Sequence, residues 1–338
     1  KNKKINNVII EASSHGLDQK RLHHIKFKGA IFTNFSQDHL DYHKTMKSYL
    51  NVKLTLFRKI LSKKSTIISN KEIPTFKILK QISKKKNFKI LDINKTLIKI
   101  KNINLKFNED FKIKNLAMAI EAAKLCGLKE KKIFENLKKL KDVNGRLELV
   151  KRYSNDVKVF IDYAHTPDAL FESLKSLRNN YGNNISLVFG CGGDRDQTKR
   201  PIMARIANNN CKKIYITDDN PRNEKPQKIR KDLSKNISKN KSFNIGNRKL
   251  AIKKAILNAD PGDIVLIAGK GHEEQQIYKS KIINISDKKI VKQIKVKTKI
   301  KSTKDQNHLQ NKLILNKILG KKKSFNFSGL SIDTRTIK

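Results

Sequence analysis

The sequence predicts an α/β protein built on parallel sheets, and three observations carry that reading. Apolar runs of strand length, such as Val8-Ile9-Ile10 and Gly29-Ala30-Ile31-Phe32, are too continuous for strands with one wet face and suit strands buried on both. Stretches with apolar residues at helical spacing separate the runs, as βαβ units require. Polar or glycine-rich residues follow each run at once, and ligands of open α/β sheets sit at such strand ends.

Residues 8–10 and 29–32 read as the first strands. Residues 45–62 place Met46, Tyr49, Leu50, Leu54, Phe57, Ile60 and Leu61 at helical spacing, with Lys53 among them. Strands and helices then alternate to about residue 94, and residues 114–126 and 130–140 form a helical pair with Gly127 placed as a cap. A second unit begins near Asn144-Gly145-Arg146. Its strands fall at 157–161, 185–189, 213–217 and 263–268, and its helices at 167–179, 199–207, 227–237 and 248–259. That alternation predicts a Rossmann-like sheet covered on both faces. Beyond about residue 290 come a lysine-rich linker (292–304) and a short helix-like run (309–319), so the expected units are 1–143, 144–290 and 291–338.

With 338 residues the chain can hold two domains with cores of their own, since domains run to roughly 100–200 residues. No apolar run approaches the ~18 residues of a membrane span, and the first residues hold no signal-peptide apolar core. A cytoplasmic protein with no membrane partner is the expectation. Cys126, Cys191 and Cys211 have neither CxxC spacing nor clustered partners, which argues against disulfides and zinc. The formal charge of +46 would suit a nucleic-acid binder. Its excess lysine, however, is spread over almost every helix and loop, whereas a nucleic-acid site gathers Arg, Lys and aromatic residues on one face. No specific nucleic acid is expected, and a non-catalytic basic nucleic-acid-binding protein is the competing class. The same charge can steer phosphate-rich substrates.

The densest chemistry lies between Glu11 and Phe57. Glu11-Ala-Ser13-Ser14-His15-Gly16-Leu17-Asp18-Gln19 follows the first run, and Asp38-His39-Leu40-Asp41-Tyr42-His43 follows the second. Tyr49-Leu50-Asn51-Val52-Lys53-Leu54-Thr55-Leu56-Phe57 lies on the helix. Together they gather a carboxylate, a histidine and a lysine. Glu11 is a hard oxygen donor of the kind magnesium takes, and His39 at a strand end is a candidate ligand. His43 stays open between ligand and core histidine. Lys53 among apolar residues would be costly to bury unpaired, and on residues alone it reads as a snorkelling lysine.

These motifs, in this order, resemble those of the Mur ligases, over about residues 8–290. The resemblance implies an amide ligase that uses ATP and Mg2+. A carboxylate of UDP-MurNAc-L-Ala-D-Glu would become an acyl phosphate, which the amine of meso-diaminopimelate attacks. Residues 1–143 would then be a partial central nucleotide-binding domain. The family's phosphate-cradling Gly-x-x-Gly-Lys-Thr loop comes earlier than the Glu11 motif, and residues 1–10 cannot supply it, so a fragment inactive by itself is expected. Lys53 matches a Tyr-x-x-x-Lys-x-x-Leu-Phe motif whose lysine is carbamylated in the family. The implied catalytic and metal set is Glu11, His39 and Lys53 as its carbamate. Ser13, Gln19 and Arg21 match positions that hold the muramoyl-dipeptide. Asn115 matches one of two asparagines beside the adenine, the other being Lys112 here, and Arg146 and Asp162 match nucleotide contacts from across the cleft. By themselves the last two would be a turn residue and a strand-end cap.

Amino-acid choice is implied in three further loops. Asp219-Asn220-Pro221-Arg222 matches the family quartet that recognises diaminopimelate, where Arg222 can clamp the distal carboxylate that lysine lacks. Arg195, in Gly192-Gly193-Asp194-Arg195-Asp196, matches a carboxylate contact. Gly269 and Glu273, in Gly269-Lys270-Gly271-His272-Glu273, match the remaining contacts, of which Glu273 can bind the distal ammonium. Each glycine loop alone could be only a tight turn. Residues 327–338 resemble the opening of another Mur ligase, so a fused downstream Mur ligase stands beside a basic tail as the reading of the end. A folylpolyglutamate synthase-like ligase is the alternative enzyme, disfavoured by the 219–222 quartet and by Ser13-Ser14-His15.

Overall fold

A computed structural model describes residues 7–105, 107–279 and 281–296. The run at 309–319 and the expected ligase start at 327–338 lie outside the described residues. Described residues as far as Ile294 belong to one compact unit with three sheets. Among the described residues, no helix is long and apolar enough to cross a membrane.

In the first lobe Ser14–Asp18 forms α1, capped by the Ser13 hydroxyl, which accepts from Gly16 N at 3.1 Å. β1 (Phe27–Phe32), α2 (Leu40–His43) and α3 (Met46–Thr55) follow. A π-helical turn, Leu56–Ile60, carries α3 onward as a wider last turn before β2 (Leu61–Ser69). Next come α4 (Phe76–Lys86), β3 (Lys89–Asp92), α5 (Asn94–Ile100), α6 (Asp110–Leu125) and α7 (Glu130–Asn136). The three strands pair in parallel in the order β1-β2-β3. Adjacent Ile67 and Ile68 of β2 are both buried because strand alternation sends them to opposite faces. Ile67 packs with Phe32, Leu54 and Phe57, and Ile68 with Ile93, Ala117 and Met118.

The expected strand at residues 8–10 does not form. Val8 and Ile9 are 72% and 82% exposed, and the run pairs with no strand among the described residues. Apolar content without a neighbour to take the backbone N–H and C=O groups does not make a strand. The helix expected at 114–126 starts earlier, at Asp110, whose carboxylate pairs with Lys114 at 2.8 Å one turn on. It ends as foreseen: Gly127 adopts φ +88°, its N–H reaches Lys124 O at 3.0 Å, and Leu128 N reaches Ala123 O at 3.1 Å.

The second lobe runs β4 (Glu148–Arg152), β5 (Lys158–Ile161), α8 (Pro167–Tyr181), β6 (Ile185–Phe189), α9 (Lys199–Asn210), β7 (Lys213–Ile216) and α10 (Pro226–Ser234). It continues with β8 (Ser242–Asn244), α11 (Arg248–Leu257), β9 (Ile264–Ile267), β10 (Gln275–Tyr278), β11 (Lys281–Asn284) and α12 (Asp287–Gln293). The large sheet has the order β4-β5-β9-β6-β7-β8, parallel from β5 to β8 with β4 antiparallel at the edge. Every residue of β6 and β9 is buried, which is why those strands read as continuous apolar runs. Because β5, β9, β6 and β7 are parallel neighbours, the loops after them emerge on one edge. β10 and β11 pair as a separate antiparallel ribbon.

The lobes touch through side chains. Phe111 of α6 packs on the core of the second lobe, Lys112 Nζ reaches Leu147 O at 3.4 Å, and Asn108 Nδ2 donates to Asn180 Oδ1 at 3.1 Å.

Candidate active site

The loops after β5, β6, β7 and β9 carry Asp162, Arg195, residues 219–222 and Glu273. Close backbone approach holds them together. A Cβ on Gly193 would lie 1.9 Å from Pro221 O, so only glycine lets the loop after β6 pass the loop after β7. Gly269 has φ +107°, and a Cβ there would lie 2.7 Å from Asp219 Oδ2.

Asp219, Asn220 and Pro221 are buried and Arg222 half-buried. Arg222 Nη1 donates to Gly193 O at 2.9 Å, and burial, with Arg195 next, lowers its pKa while Asp219, Asp194 and Glu273 oppose the shift. Arg195 is exposed, its Nη1 donating to Asp194 O at 2.8 Å. Glu273 Oε1 accepts from Tyr163 Oη at 3.2 Å, while its Oε2 takes Asn220 Nδ2 at 3.3 Å and Lys270 Nζ at 3.2 Å. Burial alone would push the Glu273 carboxyl up, but the Lys270 charge and these hydrogen bonds carry it below its ordinary value. The loops at this edge therefore bring a guanidinium and a carboxylate close enough to act on one another.

Asp162 is buried, and its carboxylate accepts from Leu147 N at 3.0 Å, Tyr163 N at 2.8 Å and the Ser173 hydroxyl. Burial raises its pKa against those bonds. In this structure Asp162 braces the turn after Arg146. Arg146 is exposed and lies over the Tyr163 ring, 4.4 Å from its centroid. Asn115 is exposed on α6.

In the first lobe Ser13 caps α1 and Gln19 ends it, while Gln19, Arg21 and Glu11 are exposed. His39 sits in the left-handed region at φ 55° just before α2, its Nε2 3.3 Å from Asp38 Oδ2. Burial lowers its pKa against the pull of Asp38. His43 is buried and bonded to the Ser14 hydroxyl at 2.9 Å, and its ring stacks on Tyr49, which marks it as a packing histidine. Lys53 is half-buried with Nζ 5.2 Å from the Tyr49 centroid. Burial lowers its pKa, opposed by Asp38 and Glu11. Among the described residues no hydrogen bond or ion pair joins Glu11, His39 and Lys53, and no group of three or more His, Cys, Asp or Glu is placed to hold a metal ion.

Residues that the sequence reading passed over stand at the seam between lobes. Asp38 lies 3.5 Å from His165 Nε2 and 3.9 Å from the buried Lys199 Nζ, while Gln37 Nε2 donates to Asp196 at 2.9 Å and Thr198 at 2.8 Å. Burial would raise the Asp38 carboxyl, but His165, Lys199 and His39 hold it well below the usual carboxylate range. Its position directly before His39 at a strand end was the available signal.

Comparison with known proteins bears on this arrangement. A model of the Mur ligase middle domain matches residues 1–126, and one of the Mur ligase glutamate ligase domain matches residues 145–271. A UDP-N-acetylmuramoyl-L-alanyl-D-glutamate--2,6-diaminopimelate ligase of Rickettsia montanensis is 39% identical over 308 residues, covering 84% of this chain and 64% of that protein. The ligase of that name from Buchnera aphidicola subsp. Schizaphis graminum is 39% identical over 316 residues, covering 86% of this chain and 63% of the relative. The chain thus spans a little under two thirds of the length of these relatives. A folylpolyglutamate synthase structure from Mycobacterium tuberculosis superposes with a TM-score of 0.58 at 16% identity, over 72% of this chain and 61% of that one, a likeness of fold alone.

Proposed function

We propose, for a chain that belongs to the Mur ligase family, that its protein is a cytoplasmic ATP-dependent amide ligase of peptidoglycan precursor synthesis. It joins meso-diaminopimelate to UDP-MurNAc-L-Ala-D-Glu through an acyl phosphate. The observation that carries this reading is the pair of opposite charges at the strand ends, where Arg222 is anchored to Gly193 O and Glu273 is held as an anion. Diaminopimelate carries both an ammonium and a carboxylate at its distal end, so one substrate satisfies both groups. L-Lysine would offer the half-buried Arg222 guanidinium no carboxylate, leaving it only its backbone carbonyl acceptors.

Magnesium enters this reading through the chemistry of the donors, since the described side chains form no ready-made metal cluster. Magnesium takes hard oxygen ligands, and Glu11 and Asp38 both act electrostatically on Lys53. The Lys53 ammonium itself repels a cation. Burial lowers its pKa and so favours the neutral amine, which takes up carbon dioxide and releases a proton to form a carbamate. Glu11, His39 and Lys53 as its carbamate are the residues that would hold the ion, which would neutralise converging phosphate charge. Ser13, Gln19 and Arg21 face solvent where the muramoyl-dipeptide would bind, and Arg146 and Asn115 would contact the nucleotide. Asp162 supports Arg146 by bracing its turn.

The test is ADP release by protein expressed from the complete gene, supplied with ATP, Mg2+ and UDP-MurNAc-L-Ala-D-Glu. Release that depends on meso-diaminopimelate and not on L-lysine is expected; equal release with L-lysine would overturn the amino-acid assignment.

A further inference from the structure

Lys270 is a lysine in a glycine loop, yet its side chain is 0% exposed. Burial of an ammonium is costly unless it is paired and hydrogen-bonded. Lys270 Nζ has three acceptors: Asn220 Oδ1 at 3.2 Å, Glu273 Oε2 at 3.2 Å and the Gln275 carbonyl. They belong to two loops, one after β7 and one running from β9 into β10. The Asn220 oxygen is held by Lys270 and by Ile277 N at 3.1 Å, which leaves Nδ2 directed at Glu273 Oε2 at 3.3 Å. With Tyr163 on the other oxygen, Glu273 is fixed from three sides.

We infer that Lys270 is a positioning residue that presets the amino-acid pocket, tying the loop after β7 to the loop after β9 and fixing the Asn220 amide and the Glu273 carboxylate for a substrate ammonium. A neutral side chain there would leave half-buried Glu273 without its counter-ion and Asn220 free to turn. The substrate class rests on the proposed function; the tie between loops does not. Two measurements therefore separate them.

Hydrogen exchange read by mass spectrometry on the ligand-free chain compares wild type with Lys270→Met, Lys270→Gln and the double variant Lys270→Met/Glu273→Gln. Lys270→Met is expected to lose protection in peptides covering 219–222 and 273–277 together, while β6 and β9 keep theirs. Unchanged exchange at 219–222, or loss throughout β6 and β9 in all three variants, would overturn the positioning role. Titration of the same proteins and of Glu273→Gln with meso-diaminopimelate and L-lysine reads selection. Lys270→Met is expected to weaken meso-diaminopimelate binding by about 10–100-fold, with little further loss when added to Glu273→Gln, because residues that act through one another are non-additive. Equal losses in both backgrounds would make Lys270 a general structural residue. Wild-type chain that binds neither amino acid would contradict the proposed function, while the exchange result still decides the tie between loops.

Discussion

Glu273 and Glu11 are both carboxylates at strand-end loops, but the protein treats them differently. Glu273 has Tyr163, Asn220 and Lys270 on its oxygens before any ligand arrives, and Arg222 nearby is anchored to Gly193 O. Glu11 is exposed, and among the described residues it is bonded to neither His39 nor Lys53. The amino-acid side of the site is preorganised by buried polar bonds, whereas the first-lobe side carries charges that act on one another through space. A pocket that must discriminate between similar amino acids benefits from rigid partners.

The sharpest break of this contrast lies at Lys53. Lys53→Arg keeps the positive charge but cannot form a carbamate, and kcat should fall on the order of 1,000-fold while the amino-acid KM stays put. A comparable KM effect would mean that the two sides are not separate. Next in size is the support beneath the second-lobe pocket. Arg248 is fully buried, donates to Asp287 at 2.8 and 2.7 Å and reaches Ala268 O at 3.1 Å, directly before Gly269. Asp287→Ala should therefore cost about 3–5 kcal/mol, the usual loss when one partner of a buried pair is removed. Urea unfolding measures it, and a loss under 1 kcal/mol would show that the pair behaves like a surface contact. Arg222→Lys should raise the meso-diaminopimelate KM by about 10–100-fold, since lysine cannot reproduce a planar fork, and leave the KM of the nucleotide substrate unchanged.

Acid should also act at the seam. Asp38 is held below the ordinary carboxylate range in the folded protein. Its stabilising contribution is complete above the unfolded pKa and fades as pH falls below about 4 toward the folded value. The urea midpoint of wild type should drop between pH 7 and pH 3.5 more than that of Asp38→Asn; parallel drops would remove Asp38 from the account. The smallest effect concerns thiols. Burial pushes the Cys191 thiol up to about 11 and the Cys211 thiol up to about 12, so at pH 8 iodoacetamide should label half-buried Cys126 and spare both until the protein is unfolded.

The sequence disclosed the strands buried on both faces, β5, β6, β7 and β9, because their apolar runs are continuous. β4, β8 and the β10–β11 ribbon escaped notice because their side chains are largely half-buried or exposed, as in the fully exposed Lys281–Asn284. Residues 8–10 misled for the opposite reason, being apolar without a partner. The loop residues around Arg222 and Glu273 were legible as motifs, and the parallel order of their strands gathers them. Lys270 was not singled out, because a lysine between glycines reads as a solvated loop residue until its burial is seen. Asp38 and Lys199 join across lobes, a contact between positions 161 apart in the chain for which local patterning carries no signal.

The most direct test of the central claim, that this is a ligase activating a carboxylate, follows oxygen. UDP-MurNAc-L-Ala-D-Glu labelled with oxygen-18 in both free carboxyl groups of its D-Glu is turned over by the complete protein with ATP and meso-diaminopimelate, and the released phosphate is analysed by mass spectrometry. An acyl phosphate transfers one labelled oxygen to each phosphate formed. Phosphate released without label, alongside amide product, would contradict the account.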